Sequence, residues 1–154
     1  MALVKMKDLL RCAEEKNIGC GAFSVGNMEM VRGAIRAAEE LDTPIILQIA
    51  EVRLKNSPLH LMGPMMVQAA KEAKVDVAVH LDHGLKKETC LKALELGFSS
   101  IMYDCSTDSY EDNVRKVKEM ADIAHSYGAT IEGELGHVGD NPDSAEGSAH
   151  INPA

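Results

Sequence analysis

Five short apolar runs recur along the chain at intervals of roughly 22–32 residues, and each is followed by an amphipathic stretch; this is the period of a strand-plus-helix unit. The runs begin near Gly19, Ile45, Val77, Ser99 and Ala129. They are continuous rather than alternating, as expected of strands covered on both faces. Between them, helices are predicted over about 27–41, 57–73, 87–96 and 108–127, after a first helix over about 6–16. Asn27 reads as one N-cap, Ser57 with Pro58 at N1 as another, and Asp108 as the cap of a box closed by Glu111. Right-handed crossovers then require a parallel sheet. Two architectures satisfy this pattern: an open doubly wound sheet of five strands, and a (β/α)₈ barrel of which about five of eight units are present. A whole barrel usually takes ~250 residues, whereas the chain has 154.

Composition narrows the function. A net charge of −8, a pI near 5.2 and no basic cluster argue against nucleic acid as a partner. No apolar run approaches the ~20 residues of a membrane span, and the N-terminus lacks the apolar core of a signal peptide. The four cysteines, Cys12, Cys20, Cys90 and Cys105, form no C-x-x-C pair. They read as reduced thiols of a cytoplasmic protein. Length favours one domain over 1–154, ending in a Gly/Asp/Asn/Pro/Ser-rich segment, 136–150, read as a mobile loop.

Polar residues collect at the C-terminal ends of the strands: Ser24, Gln48, His80, Asp82, His83, Asp104, Glu132 and Glu134. Parallel sheets bind ligands at that rim in either architecture. Several carboxylates beside histidines repel one another unless a proton or a cation intervenes, so the rim reads as a metal site or an acid/base site. Each residue also has a structural reading. His80 could be a satisfied core histidine, Asp104 a helix cap, and Glu132 and Glu134 partners in ion pairs. No dinucleotide or P-loop glycine pattern is present.

Five segments carry a family resemblance. They are Gly21–Glu29, Thr43–Gln48, Val79-His80-Leu81-Asp82-His83-Gly84, Ser100–Ser106 and Thr130-Ile131-Glu132-Gly133-Glu134-Leu135-Gly136. In order and spacing they resemble the class II ketose-bisphosphate aldolases, the zinc-dependent fructose- and tagatose-bisphosphate aldolases. The resemblance implies an α/β TIM (β/α)₈ barrel, here incomplete. It also implies a lyase that reversibly cleaves a ketose 1,6-bisphosphate into dihydroxyacetone phosphate and glyceraldehyde 3-phosphate.

By the same resemblance, Asp82 is the catalytic acid on the aldehyde oxygen, and His83 is the first zinc histidine. Asp104 and Glu134 bind or neighbour the metal in alternative positions, with a second metal or a monovalent cation allowed for beside the zinc. Ser24 and Gln48 fall in the substrate-binding region, and Glu146 is the nearest match to the proton-abstracting base. Three positions depart from the family pattern: Ser24 replaces Asn, Ala50 replaces Ser, and 137–147 lacks the Gly-Gly-x-Glu-Asp run. The family's other two zinc histidines and its phosphate loops belong to units beyond Ala154. The alternative expectation is therefore a non-catalytic half-barrel that needs a partner, with association through open barrel edges or as a homo-oligomer.

Overall fold

A computed structural model describes residues 2–136. Five strands form one parallel sheet: β1 (Gly21–Ser24), β2 (Ile45–Ala50), β3 (Val77–Gly84), β4 (Ser100–Tyr103) and β5 (Thr130–Glu132). The helices are α1 (Met6–Glu15), α2 (Met28–Glu40), α3 (Leu59–Glu72), α4 (Lys87–Glu95) and α5 (Tyr110–Ser126), and a 3₁₀ turn covers Glu51–Arg53.

The strand order is β1-β2-β3-β4-β5. This decides between the two architectures. A doubly wound sheet reverses its order at a switch point, which puts helices on both faces. Right-handed crossovers that always step the same way put them on one face, as in a barrel wall.

Side-chain alternation shows the result. Ile45, Leu47 and Ile49 of β2, Val77, Val79 and Leu81 of β3, and Ile101 and Tyr103 of β4 share one core with α2–α5. The intervening residues point to the other face, in layers fixed by the register. Ala22, Ile46 and Ala78 are in line at the N-terminal end of the sheet. There Met6 and Leu9 of α1 pack against Ile46 and Ala78. Ser24, Gln48, His80, Ser100 and Thr130 form the next level. Above it, Ala50 pairs with Asp82, and Met102 with Glu132. The inner face therefore turns from apolar to acidic along the strand direction.

Three sequence expectations change. β1 reads as a buried strand but is exposed along its whole length, because among the described residues β2 is its sole partner in the sheet and it lies at the edge. Ser57 does not cap α3; its hydroxyl donates to the Gly26 carbonyl at 2.7 Å, and Pro58 stands at the cap position. Asp108 does not cap α5 either. Ser109 accepts from the Asp112 N–H at 3.2 Å, while Asp108 pairs with Lys116 at 2.8 Å. Asn27 does cap α2, accepting from the Met30 N–H at 2.9 Å.

Candidate metal centre

The acidic end of the inner face opens into a cleft of about 870 Å³, lined by Asp82, His83, Met102, Asp104, Glu132 and Glu134, among others. β3 supplies its centre. The strand pairs regularly with β4 through Leu81, then its register shifts before Gly84. His83 lies in that irregularity with φ +43°, the left-handed region that few non-glycine residues adopt. Gly84 fills a space with no room for a side chain. A Cβ there would lie 2.6 Å from Cys90 Sγ and 2.7 Å from the Met102 carbonyl oxygen.

His83 Nδ1 lies 2.8 Å from Asp104 Oδ2 and 3.5 Å from a Glu134 carboxylate oxygen, and His83 Nε2 lies 3.9 Å from Asp82 Oδ1. The hydrogen bond to Asp104 raises the imidazole pKa above its ordinary value against the opposing effect of burial, with Asp82 and Glu134 adding to the rise. Burial alone would raise Asp104, but hydrogen bonds from His83 and Ser106 outweigh it and hold that carboxyl low. Ser106 donates to Asp104 Oδ1 from its backbone N–H at 3.0 Å and from its hydroxyl at 2.7 Å. Asp104 is thus both a local turn acceptor and the hydrogen-bond partner of His83 at the rim. Asn113 of α5, itself buried, donates to the Glu134 carbonyl at 2.8 Å and ties that segment to the helix.

Deeper on the inner face, Gln48 donates through Nε2 to Ser24 Oγ at 3.1 Å and to Asp82 Oδ2 at 3.0 Å. Three of the sequence candidates are thereby joined in one chain of hydrogen bonds. Burial raises the Asp82 pKa, and the nearby His83 partly opposes this. Burial also raises Glu132, with Asp82 adding repulsion. His80 is buried on the same face, with Nδ1 2.9 Å from Ser100 Oγ. Burial lowers its pKa to about 4, so the imidazole is neutral and its 3.5 Å approach to Glu132 is a polar contact rather than an ion pair. His80 is therefore a satisfied core histidine.

Among the described residues, His83, Asp104 and Glu134 form a group able to hold a metal ion, offering ligand atoms within 4.8 Å of one another. One imidazole nitrogen with two carboxylate oxygens is a donor set suited to zinc and similar divalent ions. A ligating imidazole must be neutral, so a proton on His83 and a cation would compete for this site. Glu146 and positions 137–150 of the expected loop lie outside the described residues.

The family model for class II fructose-bisphosphate aldolase matches residues 4–153. The chain belongs to the class II fructose-bisphosphate aldolase family. A fructose-bisphosphate aldolase from Thermus caldophilus is 44% identical over 136 residues, covering 88% of this chain and 44% of that protein. A sulfofructosephosphate aldolase from Alkalicoccus urumqiensis is 38% identical over 143 residues, covering 93% and 50%. The crystal structure of the YdjI aldolase from Escherichia coli K12 superposes with a TM-score of 0.83 at 35% identity, over 92% of this chain and 54% of that one. The chain spans about half the length of the curated relatives it matches. The five-stranded sheet corresponds to part of the aldolase barrel wall.

Sequence reasoning assigned no role to Ser106, Asn113, Ser100 or Glu51. The Asp-x-Ser spacing of 104 and 106 is a readable turn signal. The others act through contacts between residues distant in sequence and left no local trace.

Proposed function

We propose that this chain carries the metal-binding and acid/base half of a class II aldolase site, acting on a ketose 1,6-bisphosphate such as the fructose or tagatose sugar. The supporting observation is the convergence of His83, Asp104 and Glu134 beside Asp82, whose carboxyl is hydrogen-bonded to Gln48. These three residues would hold the zinc ion. Bound there, the ion supplies Lewis-acid polarisation of the substrate carbonyl and stabilises the negative charge that develops on it.

Asp82 handles the other proton. In condensation its carboxyl donates to the aldehyde oxygen; in cleavage its carboxylate takes the proton of the C4 hydroxyl as the C3–C4 bond breaks. The electrons of that bond pass to the dihydroxyacetone phosphate fragment, and the other fragment leaves as glyceraldehyde 3-phosphate. A carboxyl whose pKa is raised by burial is suited to both directions. Gln48 holds the Asp82 carboxylate, and Ser24 with Gln48 offers polar contacts to the sugar. Glu146 is the proposed base that exchanges the proton on the dihydroxyacetone phosphate carbon. All four cysteines are free, which supports a reducing cytoplasmic setting.

The test is cleavage of fructose and tagatose 1,6-bisphosphate by the purified chain with added Zn²⁺, read by coupled oxidation of glyceraldehyde 3-phosphate. Turnover that a chelator removes, and that Asp82→Ala lowers by ~10²–10⁴-fold, is expected. Turnover indifferent to both would overturn the assignment. A second reading is favoured by β1, exposed along its length at the sheet edge. On that reading the chain is a non-catalytic half-barrel whose edges must be covered by a partner or another copy. Zinc binding without turnover, together with elution above 16.6 kDa on gel filtration, is its signature.

A further inference from the structure

The geometry points to Glu51 as a positioning residue that holds His83 in its left-handed conformation and so aims the imidazole at Asp104 and Glu134. The relevance to catalysis rests on the reading of His83 as a metal ligand. Glu51 stands one residue beyond Ala50, which pairs with Asp82, so it faces the end of β3 across the sheet. Its Oε2 accepts from the backbone N–H of Leu85 at 2.6 Å and of Lys86 at 3.0 Å, and its Oε1 accepts from the Thr89 hydroxyl at 2.8 Å. Lys86 is the N-cap of α4 and has no capping side chain of its own. Glu51 supplies from another element what the helix start lacks, and a carboxylate there also suits the helix dipole.

The turn held in this way is the one that leaves His83. On the sheet side, the Asp104 N–H donates to the Gly84 carbonyl at 3.0 Å. Gly84 is wedged between Cys90 and Met102. His83 is thus fixed by sheet pairing before it, and by Gly84 and the Glu51 clamp after it. A non-glycine residue stays in the left-handed region only when its surroundings over-determine it. Without the clamp, the segment Leu85-Lys86 loses two of those restraints and Thr89 at the start of α4 a third, and His83 is released to extended backbone.

The experiment compares Glu51→Ala and Glu51→Gln with Ala37→Gly. The last loosens an exposed position in α2 and serves as a control of comparable stability loss. In the metal-free full chain, the three-bond coupling between the His83 amide and α protons reports φ directly. Glu51→Ala is expected to move it from the left-handed value toward the extended one. Glu51→Gln, which keeps an acceptor oxygen in place, and Ala37→Gly are expected to leave it unchanged.

Co²⁺ titration, read by its visible absorption, is expected to show a 10–100-fold weaker Kd in Glu51→Ala, the range for loss of a supporting shell. A wild-type coupling in Glu51→Ala overturns the proposal and leaves Glu51 as a helix cap. If that variant does not fold, Glu51→Asp, whose shorter side chain loses its reach, decides in the same way. A lost coupling with unaltered Co²⁺ affinity upholds the clamp and refutes the metal reading of His83.

Discussion

The two faces of this sheet are made from the same strands and behave as two different materials. On β3, Val77, Val79 and Leu81 are fully buried against the helices, while Ala78, His80 and Asp82 line the opposite face. The outer face gains from every methylene it hides and asks for no partners. The inner face carries polar groups, buried at its floor and more exposed toward the rim, and pairs them with one another: His80 with Ser100, Gln48 with Ser24 and Asp82, and His83 with Asp104. Stability therefore resides on one side and chemistry on the other. Neighbouring residues of one strand can be changed to separate them.

Leu47→Ala is expected to break the comparison most severely. Leu47 is fully buried on the outer face, and its truncation leaves a cavity that costs about 2–5 kcal/mol in urea unfolding. Its neighbour Gln48 points inward, to Ser24 and Asp82. Under conditions where the variant is folded, Leu47→Ala is expected to retain the Co²⁺ affinity of the unaltered chain. A loss of that affinity in Leu47→Ala would show that the two faces are not independent.

Next in size is an acid effect confined to the inner face. Burial holds His80 neutral down to about pH 4, against an ordinary value of 6.5. A histidine with a lowered folded-state value contributes stability that is present above 6.5 and lost as pH falls toward 4, because the unfolded chain binds the proton first. The loss amounts to about 3 kcal/mol. His83, three residues on, is shifted the opposite way by its carboxylate neighbours, so its contribution is present below 6.5 and fades as pH rises through the raised value. Unfolding measured from pH 7 to pH 4 is expected to show a steep loss in the native chain and a shallower one in His80→Gln. Parallel curves would mean that His80 titrates normally in the folded chain.

The difference between the faces also explains what could be read from the sequence. Outer-face residues need only be apolar at the right period, so the strands and their order of appearance were legible. The rim residues were legible too, as charges interrupting apolar runs: Asp82, Asp104 and Glu134 stand where a buried strand should have ended. Partners were harder to read. Nothing local separates Asp108 from Ser109 as the α5 cap, because Lys116, two turns on, draws Asp108 away. Nothing near Glu51 shows that it bonds to a turn 34 residues ahead. The edge position of β1 was equally hidden, since an apolar run looks the same with one neighbour or two.

The smallest expected effect tests the cost of assembling the acidic rim. Glu132 is pushed up by burial and by Asp82. Its stabilising contribution is therefore present below its ordinary value of 4.5 and is lost as pH rises through the higher folded value, above which the ionised group opposes folding. Glu132→Gln cannot ionise and keeps a similar shape, so it is expected to stabilise the metal-free chain at pH 7. About half of the Glu132 side chain is exposed, and solvent screening keeps the gain under about 1 kcal/mol. The gain should vanish at pH 4, where the native carboxyl is itself protonated. It should also shrink when Zn²⁺ is present, because a cation at His83, Asp104 and Glu134 offsets the repulsion that the substitution relieves. A loss of stability at pH 7 in the metal-free chain would mean that Glu132 is a structural partner of His80 rather than a charge held in place for the site.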